Sequence, residues 1–218
     1  MMNSQISTLF NVSLPQIFAK SILNLIGWRV DTIYPTEKKY VLVGAHHTTN
    51  WDLPVALLFS MATGIKFNFL AKDDLFWWPL GILMRRLGGI PVNRRANTHF
   101  VEQLADEFGK RDELIMVVTP EGTRKRTEYW KTGFYYMALA AKVPVALGYL
   151  DYPNKRLGIG KMMHPTGDIE ADFDLLRAFY ADKKGKFPHQ HGEIRIRPNP
   201  TQHNHEPHPG ELHETSKT

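Results

Sequence analysis

An α/β domain with a mostly parallel sheet, covered by helices, is the fold class this chain predicts. Three observations lead there. Short runs rich in β-branched and aromatic residues recur along the sequence, helical patterns separate them, and 218 residues suffice for one substantial domain but not comfortably for two. The expected strands are 40–45, 67–71, 89–93, 113–118 and 143–150. The expected helices are 51–62, 76–87, 97–109, 131–141 and 169–181, with Asn97 capping the third and Asp168 or its neighbours opening the last. In the helix from Asn97, Phe100, Leu104 and Phe108 form one apolar stripe; the last carries Phe173, Leu175, Leu176, Phe179 and Tyr180.

Ahead of these elements lies a separate helix pattern. Ser13 can cap it, Pro15 suits its first turn, Leu14, Ile17, Phe18, Ile22, Leu25 and Ile26 recur at helical spacing, and Gly27 stops it. Residues 1–28 therefore form an amphipathic unit that either packs on the core or lies in a membrane interface. The principal domain is expected over 29–190. Beyond it, 191–218 is rich in histidine and proline, and from 198 onward Leu212 is its single large apolar residue, so this tail is expected to be disordered. Histidines at 189, 191, 203, 205, 208 and 213 can bind metals adventitiously, but no functional metal is expected on such a segment.

Composition narrows the chemistry. Hydrophobic residues make up 43% of the chain, which fits a packed core. Cysteine is absent, excluding a thiol nucleophile, a disulfide framework and a cysteine zinc site. The net charge of +5 includes a cluster of cations between Lys72 and Lys131, and such a field suits anionic partners. No nucleic-acid recognition motif accompanies it, so nucleic acid is not the expected partner. No stretch reaches the roughly twenty apolar residues of a transmembrane helix, and the N-terminus lacks the features of a secretory signal. Gly158-Ile159-Gly160-Lys161 lacks the spacing and the following Ser or Thr of a phosphate loop.

Two motifs carry most of the functional signal. His47-Thr48-Thr49-Asn50-Trp51-Asp52 follows the apolar run 40–45, and Thr119-Pro120-Glu121-Gly122-Thr123-Arg124 follows the run 114–118. Each stands after a strand and leads toward a helix, where open α/β sheets place their ligand crevices. A histidine near neutral pH can take a proton from an alcohol, and an aspartate one helical turn on can hold its tautomer. His47 and Asp52 are thus the candidate catalytic pair, although a histidine at a helix end can equally bond to backbone alone. His46 lacks a matching aspartate. Arg124 offers the two-pronged geometry that binds a phosphate, and Gly122 permits close backbone approach. Glu121 is expected to orient Arg124 or accept from a substrate hydroxyl rather than meet a phosphate. By chance alone, roughly half an H-x4-D pair is expected in such a chain but Glu-Gly-Thr-Arg in only about one chain in a thousand.

Between and after these motifs come Lys72 to Gly81 (Lys-Asp-Asp-Leu-Phe-Trp-Trp-Pro-Leu-Gly), Gly88-Gly89-Ile90-Pro91-Val92-Asn93-Arg94, Trp130-Lys131-Thr132-Gly133-Phe134 and Val143-Pro144-Val145. In this order, over roughly 40–150, the series resembles the glycerophospholipid acyltransferase family, the group of 1-acylglycerol-3-phosphate O-acyltransferases. Asn93 departs from that family's pattern, which has Asp before the arginine. The resemblance implies a glycerophosphate acyltransferase-like fold and direct transfer of an acyl group from acyl-CoA or acyl-carrier protein to the hydroxyl of a lysophospholipid. The simplest acceptor is 1-acylglycerol-3-phosphate, giving phosphatidate. It further implies binding of the acceptor's phosphate and glycerol by Arg94, Glu121, Gly122, Thr123 and Arg124, further contacts from Lys72 and Lys131, and no cofactor beyond the acyl donor. Trp77 and Trp78, at the start of an expected helix, either pack in the core or sit at the headgroup level of a bilayer, and Val143 to Val145 suit a core strand that also walls an acyl channel. The expected setting is the cytoplasmic side of a membrane, bound peripherally or monotopically. Another lysolipid acceptor, or a non-catalytic anionic-lipid-binding protein, remains open at this point.

Overall fold

The computed structural model describes residues 13–92 and 100–198. The elements run α1 (Leu14–Leu25), β1 (Arg29–Val30), β2 (Lys39–Ala45), α2 (Asp52–Thr63), β3 (Asn68–Lys72), α3 (Leu80–Arg86), β4 (Gly89–Val92), α4 (Phe100–Lys110), β5 (Leu114–Val118), α5 (Gly133–Ala141), β6 (Val145–Asp151), β7 (Arg156–Met163) and α6 (Ile169–Tyr180). One seven-stranded sheet has the order β1-β7-β6-β2-β5-β3-β4. Pairing is parallel from β6 through to β4, and β7 joins β6 antiparallel. The fold is the α/β architecture that the alternation of apolar runs and helices predicts.

β2 explains why both faces must be covered. Its side chains alternate, so Val41, Val43 and Ala45 enter one core with α4, α5 and α6, while Tyr40 and Leu42 enter another with α1 and α2. A strand apolar on both faces is stable only between two helical layers. α1 contributes Ala19 and Leu23 to the second core and packs along α2, while Leu14, Phe18 and Leu25 remain exposed. Its first turn is closed by Gln16, whose Oε1 accepts from the Ser13 N–H at 2.8 Å. It is thus a core helix on one side and an uncovered apolar helix on the other.

Several expected boundaries move. The helix expected from residue 76 begins only at Leu80, because Pro79 disfavours helical backbone in the residue before it; Trp77 and Trp78 occupy the preceding turn and are exposed. β7 was not among the expected strands, since Gly158, Gly160 and Lys161 dilute its apolar pattern. Those glycines have a packing reason. A Cβ at Gly158 would collide with the Asp31 carbonyl, and one at Gly160 would come within 2.7 Å of the Phe179 ring. Residues 191–198, assigned to the disordered tail, instead return to the body: Trp130 N–H donates to Arg195 O at 2.9 Å, Glu193 N–H donates to Thr127 O at 3.1 Å, and Ile194 and Ile196 pack on the core. The remainder of the tail (199–218), Asn93, Arg94 and the expected Asn97 cap lie outside the described residues.

Candidate active site

Three neighbouring strands deliver their C-terminal ends to one place. β2 lies between β6 and β5, with Val43 opposite Leu147 on one side and Val118 on the other. β2 therefore runs into His46 and His47 beside the turn after β5, which carries Glu121, and beside the end of β6, which leads to Tyr152.

His47 and Asp52 meet. The Asp52 Oδ2 atom lies 2.9 Å from His47 Nδ1 and accepts the backbone N–H groups of Thr48 and Thr49 at 3.0 and 3.1 Å. Its Oδ1 accepts the Tyr152 hydroxyl at 2.7 Å. Asp52 opens α2, where backbone N–H groups have no helical partner, so the turn 48–52 wraps around its own carboxylate. Facing a carboxylate, Nδ1 carries the ring proton, and Nε2 is left as the basic nitrogen. The His47 side chain is 27% exposed and Asp52 only 6%. Burial, together with the bond to Asp52, pushes the Tyr152 phenol well above its ordinary range, so it serves as a donor throughout the physiological range. The ring of Trp28 meets that of Tyr152 edge-on at 4.9 Å and helps fix it.

The adjacent histidine is different. His46 Nδ1 lies 3.1 Å from Glu121 Oε1, and Glu121 Oε2 accepts the backbone N–H of His47 at 2.8 Å. The two side chains are only 6% and 1% exposed. The other face of His46 stacks on His191 at 3.8 Å with nearly parallel rings, and Tyr180 meets its edge at 5.8 Å. His191 Nε2 accepts the Gly185 N–H at 3.0 Å, and burial, the neighbouring His46 and Lys184 lower its pKa to about 4. Glu121 was expected to orient Arg124 or accept from glycerol; its described bonds go to His46 and to the backbone of His47, and they couple the two motifs through the chain.

Beyond Glu121 the loop becomes exposed. Gly122 has φ +65°, and a Cβ there would come within 2.7 Å of Lys131 Nζ, so the Lys131 ammonium group lies across the glycine. Lys131 is held there by its own N–H, which donates to Pro120 O at 2.8 Å. Thr123 Oγ1 accepts the Lys125 N–H at 3.2 Å, shaping the turn that presents Arg124, and Thr123, Arg124 and Lys125 are all exposed. Lys72 ends β3 in register with Val92, the last residue of β4. The structure thus brings His47, Asp52, Glu121, Gly122 and Lys131 together, puts Thr123 and Arg124 on the same loop, and sets Lys72 at the end of a neighbouring strand. Sequence reasoning missed Tyr152, Gln190 and His191, which touch this site from outside the motif region. Their only local signal is that Tyr152 directly follows an apolar strand and that the histidine pair 189 and 191 interrupts the approach to the tail.

A family model described as Acyltransferase matches residues 29–146, more than half of the chain. No curated protein sequence matches significantly. Among solved structures, the fold is similar to that of the 1-acyl-sn-glycerophosphate (LPA) acyltransferase PlsC from Thermotoga maritima, with a TM-score of 0.52 at 17% identity, over 77% of this chain and 75% of that one. The matched span contains β2, the His47–Asp52 turn, β5 and the Glu121–Arg124 loop, and on that match the chain belongs to the Acyltransferase family and is an acyltransferase.

Proposed function

We propose that this acyltransferase transfers a fatty acyl group from acyl-CoA or acyl-carrier protein to the free hydroxyl of a lysophospholipid, with 1-acylglycerol-3-phosphate the leading acceptor and phosphatidate the product. The observation that carries the reading is the His47–Asp52 pair, oriented at 2.9 Å beside the loop bearing Arg124 and Lys131. His47 Nε2 takes the acceptor's hydroxyl proton as its oxygen attacks the thioester carbonyl. When the tetrahedral intermediate collapses, the carbon–sulfur bond breaks and the imidazolium returns the proton to the thiolate, leaving an ester and a free thiol. Asp52 stabilises the imidazolium between these steps. Arg124 and Lys131 hold the acceptor phosphate, with Lys72 and Arg94 as the further cations proposed for it.

The uncovered face of α1 and the exposed Trp77 and Trp78 support peripheral docking on a membrane, where a lysolipid resides. Among the described residues no helix is long and apolar enough to cross a membrane. We assign the association to the cytoplasmic face, and the chemistry as written needs no cofactor beyond the acyl thioester.

Mass spectrometry of products from the purified protein, an acyl thioester and a panel of lysolipids tests the assignment. A single new diacyl product from lysophosphatidate is expected; preferential acylation of an uncharged or zwitterionic lysolipid would replace the proposed acceptor. Arg124→Lys should raise the acceptor KM several-fold while leaving the donor KM unchanged, since charge is kept and the planar fork is lost. A rise in donor KM alone would move Arg124 to the thioester's side of the site.

A further inference from the structure

Residues 184–198 lie outside the span matched to the family, yet they cross both motif turns. The segment is tied down along its length. Phe187 N–H donates to Thr48 Oγ1 at 3.2 Å, a short helical turn over Pro188–Gln190 follows, and the backbone then bonds to Thr127 and Trp130 through Glu193 and Arg195. Its contacts are close enough to demand glycine at two points: a Cβ at Gly185 would come within 2.8 Å of Thr48 Oγ1, and one at Gly192 would collide with Thr127 Oγ1.

At the middle of this strap stands Gln190. Its side-chain amide faces two backbone carbonyls, that of Arg124 at 2.7 Å and that of Thr48 at 3.1 Å. A carbonyl can only accept, so the amide nitrogen, with its two hydrogens, is the group turned toward them. One hydrogen reaches each motif. Thr48 is the residue after His47, and Arg124 is the candidate phosphate ligand, so a single side chain spans the turn of the base and the loop of the clamp. Glu121 joins the same two turns from the buried side, through the His47 N–H. The junction is therefore pinned by two side chains, the carboxylate of Glu121 and the amide of Gln190.

We propose that Gln190 is a positioning residue that fixes the distance between the proton-accepting His47 and the phosphate-binding Arg124. The inference rests on the functional reading above. An acceptor held by its phosphate at Arg124 presents its hydroxyl to His47 only if the two loops keep one spacing, and small misplacements of reacting groups are costly in rate. No other common side chain supplies two donors of this length without charge: Glu would set a carboxylate against two carbonyl oxygens, and Met would fill the space with no donor.

The test uses the full-length chain and Gln190→Met, with Gln190→Glu as a second variant in case Met repacks. Both should retain the wild-type unfolding midpoint to within a few degrees. In Gln190→Met, kcat/KM for lysophosphatidate should fall roughly tenfold or more, divided between a higher acceptor KM and a lower kcat, with donor KM unchanged. In the Arg124→Lys background the same substitution should add little to the acceptor KM, because the spacing it protects no longer serves a two-pronged ligand. Additive effects would mean that Gln190 acts on general stability and would overturn the proposal. Hydrogen exchange provides a readout independent of turnover: amides at 46–49 and at 121–126 should both exchange faster in Gln190→Met. An active wild type with a variant unchanged in rate, KM and exchange sinks the role of Gln190. A wild type that acylates no lysolipid, with faster exchange in both loops of the variant, instead keeps the strap and removes the functional reading.

Discussion

Two histidine–carboxylate pairs sit side by side at the end of β2, built from consecutive residues, and they are not equivalent. His47–Asp52 is joined at 2.9 Å with the ring partly open, whereas His46–Glu121 is joined at 3.1 Å with both side chains sealed. One carboxylate belongs to the same turn as its histidine; the other comes from the turn after β5. The local pair orients its ring within one turn, with Tyr152 the described long-range partner of its carboxylate. The long-range pair crosses from β5 to β2, has its ring covered by His191 and Tyr180, and offers no face to a ligand. Similar chemistry is open to a substrate in one pair and sealed in the other, and accessibility separates the two.

The largest effect should come from the open pair. His47→Ala is expected to reduce acyl transfer by roughly 10²–10⁴-fold, the usual contribution of a general base, with no large change in thermal unfolding. His46→Ala should lower the unfolding midpoint, and whatever fraction remains folded should retain more turnover per molecule than His47→Ala. Measuring both quantities on both variants breaks the comparison if His46→Ala is the stable, inactive one.

Next come the carboxylates. Asp52→Asn keeps the size and one acceptor but can invert the tautomer that His47 needs, so kcat should fall about 10²-fold or more while acceptor KM changes little. Glu121→Ala removes the partner of a buried ring and of a backbone N–H, a loss of about 1–3 kcal/mol for each such group left unsatisfied. Denaturant titration should therefore separate them: a large stability change at 121 and a small one at 52. The separation will be incomplete, since Asp52 also closes the turn through Thr48, Thr49 and Tyr152.

The local pair was legible in the sequence for the reason it is robust. His47, Asp52 and the apolar run before them lie between residues 40 and 52, and the spacing alone puts the carboxylate one turn beyond the imidazole. The strands were legible wherever burial on both faces makes a continuous apolar run, as in 40–45 and 114–118. Glu121 was visible as a motif, but its partner was not, because its bond to His46 spans 75 positions. Tyr152, Gln190 and His191 reach the site through tertiary packing, and no periodicity marks a residue that is one step past a strand or inside an irregular strap. The same holds for β7, where close approach to Asp31 and Phe179 selects glycine against strand propensity.

The smallest expected effect concerns the cover over the closed pair. His191 lies stacked on His46, with its pKa lowered to about 4 from the ordinary 6.5 by burial first and then by His46 and Lys184. Its charged form is disfavoured in the folded state, so between about pH 6.5 and 4 the unfolded chain binds a proton that the folded chain does not. Stability attributable to this ring is then present above pH 6.5, declines as pH falls through that window, and is fully lost below about 4. The absolute pH profile sums over every titrating group of the chain and is not diagnostic. The difference between wild type and His191→Phe is. Phenylalanine keeps a flat ring against His46 but cannot be protonated, and it also loses the acceptor for the Gly185 N–H, so the variant should start somewhat less stable at pH 7.5. Its denaturation midpoint should then fall less steeply toward pH 4, bringing the two curves together. Parallel curves would mean that the ring takes up its proton as readily folded as unfolded, and the cover over His46 would then be a looser contact than the one that keeps this pair closed.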